Sequence, residues 1–344
     1  SANVRTNLSV NNQRFTMVGG FIANADKASG AGDTSFTFEN AKASLTSGST
    51  ADCLGGFIGT VGGGGNAYVT LTGCTVESCT PGADISNLGG LVGKLGNSVT
   101  HLKVTGSTVT CDFNNDNHGS TGGIVGLAEE QGHLIEVDTF TLNAATIKGN
   151  NCGGLVGKMD SGVLYLHNVP TLNITTIPSG ASHGWIVGNR GNALVCSKEA
   201  WNPIAASNPD KELNDTGIWG QVLQLSQFDG DLVTLDSQNH NVSIRALPQK
   251  AGDYYAINTL TDFASVALRL QHSSKGMLTI DNDISGGTVK LTLNADINLT
   301  GTCLTGLTRD NSVGEYYSFN IQGNGKTITL PNVKIFAGPG SHIF

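Results

Sequence analysis

The segment Asp112-Phe-Asn-Asn-Asp-Asn-His118 puts the side-chain oxygens of Asp112, Asn114 and Asp116 at every second position of one loop, a donor type and spacing that suit calcium. It lacks the glycine at position six and the closing glutamate of an EF-hand loop, and its turn-forming residues also describe a solvated turn. Other acid-rich spots are Asp229 with Asp231, Asp281 with Asp283, and Asp138 alone. A glycosidase needs two carboxylates facing across a groove, and a lyase needs a basic residue beside a calcium-holding acid cluster. Two aromatic pairs, Tyr254 with Tyr255 and Tyr316 with Tyr317, are candidates for stacking on sugar rings. Trp185 and Trp201 read more naturally as side chains that close a core where a repeat breaks down. Glu129-Glu130 reads as a charged corner.

The eight histidines are scattered without HExxH or any other metal-ligand spacing. Seven cysteines, an odd number with no CxxC pair, do not form a disulfide framework; Cys53 and Cys152 read as small buried residues beside glycine pairs. The net charge of −8 is spread without long runs, and no Lys/Arg cluster with interleaved aromatics is present, so nucleic acid is not an expected partner. No apolar run reaches the roughly 20 residues a membrane span needs.

The elements that must carry these residues are set by a repeat. GGFIA begins at Gly19, GGFIG at Gly55, GGLVG at Gly89, GGIVG at Gly122, GGLVG at Gly153, and a degenerate GWIVG at Gly184. Their fifth residues are Ala23, Gly59, Gly93, Gly126, Gly157 and Gly188, which are 36, 34, 33, 31 and 31 residues apart. Such spacing marks one structural unit stacked on itself. After each step comes a strand of period two, as in Tyr68 to Thr72, Val99 to Val104, Leu134 to Val137 and Val163 to Leu166. A second short strand follows, as in Cys74-Thr-Val76 and Ser107-Thr-Val109. No helix is available to carry the chain back across a flat sheet, so successive turns stack in register. The expected fold is all-β: a right-handed parallel β-helix (β-solenoid) with repeats of 31 to 36 residues.

Glycine at each step is expected to take positive φ and to let coils approach closely, and the two apolar residues after it to fill the interior. Gly55, Gly56, Gly59, Gly89, Gly90, Gly93, Gly122, Gly123, Gly126, Gly153, Gly154 and Gly157 are the structural repeat glycines. A phosphate loop is excluded, since no GK[ST] follows these steps and Gly325-Lys-Thr327 has Asn320 where the motif needs its first glycine. Thr70, Thr72, Thr105 and Thr110 drift between repeats, which argues against a flat threonine array of the ice-facing kind. Beyond Gly188 the pattern breaks, and Ser197 to Leu213, with Pro203 and Pro209, reads as a connecting loop. Thr261 to Leu270 predicts one short capping-type helix, with Phe263, Val266, Ala267 and Leu270 on its apolar face and Thr261 as its cap.

Gly90-Leu-Val-Gly93 and Gly154-Leu-Val-Gly157 resemble the Gly-Leu-hydrophobic-Gly phrase of GLUG-motif bacterial surface proteins. Ile257 to Phe263, Leu293 to Leu299 and Phe319 to Ile328 resemble the usual lead-in to such repeats. The resemblance implies a large, secreted or wall-attached protein, described as an adhesin or as a non-catalytic region beside an enzyme. In the family the lead-in precedes the repeats; here it follows a set of them, so the chain is expected to be a piece of a longer protein. Residues 1-196 are assigned to GLUG-type repeats, 197-253 to a connecting loop and irregular coils, and 254-344 to a second β-helix segment. The expected function is a non-catalytic adhesin or stalk, extracellular or on the cell surface, with calcium as the one possible ion. Its expected partners are a host surface, a glycan or a matrix component, and other copies stacked end to end through the solenoid ends. The alternative is a carbohydrate-active β-helix enzyme or its glycan-binding portion.

Overall fold

The computed structural model describes residues 5–10, 14–26, 32–47, 50–82, 84–115, 119–176, 182–199, 222–281, 284, 287–299, 304 and 317–329. The chain forms two compact units, Ser1–Val222 and Leu223–Phe344. The second unit takes in strands that the sequence places in the connector. Asp116, Tyr316, Trp201 and Trp219 lie outside the described residues. No helix among the described residues is long and apolar enough to cross a membrane.

The first unit is a β-solenoid whose coils each cross three faces. The first face stacks Arg14–Gly19, Thr50–Gly55, Ile85–Gly89, Ser120–Gly122, Asn151–Gly153 and Ser182–Gly184, all parallel. The second stacks Ile22–Ala25, Ile58–Val61, Val92–Leu95, Val125–Ala128, Val156–Met159 and Val187–Arg190. The third holds the longest strands, Thr100–Thr110 and His133–Ala144, flanked by pairs such as Ala67–Thr72 with Thr75–Thr80 and Gly162–Leu166 with Thr171–Ile174. The repeats therefore register as the spacing requires: Gly19, Gly55, Gly89, Gly122, Gly153 and Gly184 form one column. The apolar pair after each step fills the interior, and Phe57, Ile58, Leu91, Val92, Ile124, Val125, Leu155 and Val156 are fully buried.

The step glycines do not take positive φ, contrary to the expectation. Their requirement is steric. A Cβ on Gly89 would lie 1.8 Å from the carbonyl oxygen of Val92 within the same turn. On Gly90 it would lie 2.0 Å from the Gly123 oxygen of the following coil, and on Gly93 2.5 Å from the Gly59 oxygen of the preceding one. Two copies depart from the glycine pattern, each at a position that faces a neighbouring coil. Ala23 occupies the fifth position of the first copy, and among the described residues no step lies beneath it. Trp185 occupies the second position of the last copy, where no further step stacks among the described residues.

Positive φ occurs instead where the third face bends. Asn40 (52°), Gly73 (61°), Gly106 (58°) and Thr139 (60°) occupy that bend in four successive coils. Asn and Gly accept this conformation readily, whereas a β-branched residue there is strained, at about 1–3 kcal/mol. Thr139→Gly is therefore expected to raise the unfolding midpoint, by about 1 kcal/mol of stability after the glycine's own chain entropy is deducted. Chemical denaturation checks this; a lower midpoint would show that Thr139 is not strained.

In the second unit, Tyr254–Ile257, Gly287–Leu293 and Tyr317–Gln322 stack in parallel, beside an antiparallel hairpin of Val233–Asp236 and Asn241–Ile244. The helix spans Leu260–Gln271 and buries Phe263, Val266, Ala267 and Leu270, as the periodicity predicts. Its cap is Thr259, not Thr261: the Thr259 hydroxyl accepts from Asp262 N, and the Asp262 carboxylate accepts from Thr259 N in return. Thr261 is buried one residue inside the helix. Arg269, also buried, donates to the carbonyls of Arg245, Ile244 and Asp281.

Candidate functional site

Among the described residues, a dense group of titratable side chains lies on the third face, where no sequence motif marks it. Lys103, Glu136 and Tyr165 stand opposite one another in three successive coils. His101 and His167 lie two residues from their column on either side. Strand alternation sends Ile135 and Val137 into the core and Glu136 to the opposite side of the sheet. Glu136 is nevertheless only 1% exposed. Its Oε2 accepts from His101 Nε2 at 2.9 Å, and its Oε1 accepts from His167 Nε2 and Lys103 Nζ, each at 2.9 Å. An ionised carboxylate can only accept, so both imidazoles carry a proton on Nε2. Tyr165 packs edge-on against the His167 ring, 5.1 Å between centroids.

A buried carboxylate costs several kcal/mol in lost hydration unless it is charge-paired and hydrogen-bonded, and this one has three donors. The donors that meet it differ in exposure: His101 is buried, whereas His167 and Lys103 remain about a third open to solvent. The signal in the sequence was the column itself, since aligning Val99–Val104 with Leu134–Val137 puts Lys103 opposite Glu136.

Asp112 sits at a corner of the coil. Its Oδ1 accepts from Thr146 N at 2.9 Å, and its carbonyl accepts from Asn114 N at 3.1 Å. Asn114 is exposed. Asn115, unmarked in the sequence, is fully buried and clamps the preceding coil: Oδ1 accepts from Ile85 N at 3.0 Å and Nδ2 donates to Ile85 O at 2.8 Å. A cavity of about 210 Å³ opens beside Asp112, lined also by Ser78, Cys79, Thr110, Cys111, Asn143 and Ala145.

Tyr254 and Tyr255 are consecutive in one strand, so their rings leave opposite faces and do not form one platform. Each has a lysine over it: Lys290 Nζ is 5.7 Å from the Tyr254 ring and Lys250 Nζ 4.7 Å from the Tyr255 ring. Lys290 also bonds Asp253 at 2.9 Å, which holds the Asp253 carboxyl below and the Lys290 amine above their ordinary ranges. Tyr317 begins the next-but-one strand of that sheet. Glu129 pairs with Lys94 of the preceding coil at 2.6 Å, and Trp185 is buried in the core.

Thr70, Thr105 and Thr110 do drift, standing opposite Lys103, Asp138 and Asn143 in the neighbouring coil, but four other threonines form one uninterrupted column: Thr75, Thr108, Thr141 and Thr171. Beside it run Thr110, Asn143 and Asn173, with Asn173 Nδ2 donating to Asn143 Oδ1 at 2.8 Å and Asn143 Nδ2 to Thr110 Oγ1 at 3.4 Å. Variable loop lengths hid this column, because numbering drifts while register does not.

No family model matches the chain, and no solved structure matches it. Over 177 residues, 49% of its length, it is 30% identical to a protein named halomucin from Haloquadratum walsbyi. The chain spans 2% of the length of that curated relative.

Proposed function

We propose that this chain is a non-catalytic stalk or adhesive module of a very large cell-surface or secreted protein, resembling GLUG-type repeat regions. The observation that carries this reading is the in-register stack itself, whose third face sets out columns of threonine and asparagine at the regular spacing of sheet strands, about 4.8 Å. Such a face offers repeated hydroxyl and amide groups to a glycan or another polar surface, while the interior supplies rigidity. The likeness to a short stretch of the much longer halomucin supports placement within a very large protein.

A second reading, a carbohydrate-active enzyme, is favoured by the Glu136 group, which gathers a carboxylate, two imidazoles, an ammonium and a phenol on one face. One experiment separates the two. The purified chain is applied to a broad glycan array with and without calcium, and the same glycans are assayed for new reducing ends or unsaturated products. Binding without products is the expected result. Products that vanish in Glu136→Gln would replace this reading with the enzymatic one.

A further inference from the structure

One column of inward side chains on the third face carries two cysteines. Its neighbour runs Val76, Val109, Leu142 and Leu172 through four coils and fills the core. One step along, the column begins with Leu45 opposite Cys79, continues through Cys111, and ends with Ala144 opposite Ile174. The 210 Å³ cavity opens beside this column, with both cysteines in its wall together with Ser78, Thr110, Asp112, Asn143 and Ala145. Cys79 and Cys111 belong to adjacent coils, are each 3% exposed, and are free thiols in the wall of one cavity. Adjacent coils are about 4.8 Å apart, inside the 4.4–6.8 Å Cα separation that a disulfide spans.

We infer that Cys79 and Cys111 form a dithiol that a low-molecular-weight disulfide oxidises to a covalent staple between two coils. The cavity beside them gives the oxidant room to reach sulfur. Cys79 loses its proton to water and its thiolate attacks one sulfur of the oxidant. The oxidant's S–S bond breaks, a mixed disulfide forms on Cys79, and one small thiolate leaves. Cys111 then gives up its proton to that thiolate and attacks the Cys79 sulfur, expelling the second small thiolate, which takes a proton from water. Two protein thiols are oxidised and one small disulfide is reduced to two thiols. Burial, followed by the neighbouring Cys79, holds the Cys111 thiol well above its ordinary range, so this second step is slow at neutral pH and speeds up as pH rises. The other described cysteines are not assigned this chemistry: Cys152, for example, donates its S–H to Gly149 O at 2.9 Å. The inference is independent of the proposed function.

The test uses the whole chain, incubated with mixed reduced and oxidised glutathione at pH 8.5, with one arm in the native state and one refolded from denaturant in the same buffer. Free thiols are then blocked and the protein is digested with trypsin and a glutamate-specific protease. Cleavage after Glu77, Lys94 and Lys103 separates Cys79 from Cys74 and from Cys111. The expected product is a linked pair of peptides carrying Cys79 and Cys111, two hydrogens lighter than their sum, in the refolded arm at least. Cys111→Ser should instead hold the glutathione adduct on Cys79. Both residues recovered fully blocked in both arms, or paired with other cysteines, would overturn the inference.

Discussion

Gly89→Ala is expected to destabilise the solenoid by more than about 4 kcal/mol, an exceptional loss for one methyl group. The added carbon would sit 1.8 Å from Val92 O and 2.9 Å from Gly126 N. Both are backbone atoms held in ladders between coils, so neither can swing aside as the end of a side chain would. Relief requires the turn to open, which breaks the register of Val92 with Ile58 of the preceding coil and Val125 of the following one. Gly62→Ala is the matched control. Its Cβ would approach nothing nearer than 3.9 Å, and its backbone is not left-handed. That change should leave stability within about 1 kcal/mol or raise it slightly, because alanine narrows the unfolded ensemble. Equilibrium unfolding of both variants decides the matter; similar midpoints for the two would refute the steric account of the repeat.

Glu136→Ala is expected to cost about 3–5 kcal/mol, the loss seen when one partner of a buried charge network is removed. Lys103 and His167 can turn toward water, but His101 is 3% exposed and keeps a buried donor whose acceptor has gone. Glu136→Gln should cost less. The amide oxygen still accepts, and its NH₂ can donate to one imidazole once that ring shifts its proton to the other nitrogen. A double variant, His101→Leu with Glu136→Leu, should recover much of what Glu136→Ala loses, since apolar residues of similar volume replace buried ion pairs at little cost. Denaturant midpoints of the single and double variants measure the coupling. A loss below about 1 kcal/mol for Glu136→Ala would place the group in the class of solvated surface pairs.

Much of the scaffold was legible in the residues because its cause is local and repeated. A Gly-Gly step every 31 to 36 residues followed by two apolar residues has few physical solutions, and the stacked solenoid is the one observed. The helix face was legible for the same reason, since Phe263, Val266, Ala267 and Leu270 follow a helical period. Its cap was misplaced by two residues, because Thr259 and Thr261 both offer a hydroxyl and only the Asp262 carboxylate bonding back to Thr259 N distinguishes them. The role of the glycines was half legible: close approach was foreseen, while positive φ belongs to Asn40, Gly73, Gly106 and Thr139 at a different bend.

Side-chain partnerships between coils were hidden. Two of the scattered histidines met at Glu136, and threonines not singled out in the sequence formed a column, once loops of unequal length were folded out of the way. The sequence by itself determined the repeat and the buried pair at each step. Only the tertiary structure decided that Glu136 is shared by His101, Lys103 and His167, and that Cys79 meets Cys111. The physical reason is that a parallel stack makes neighbours of residues about one coil apart, and the loops set that offset anew in every turn.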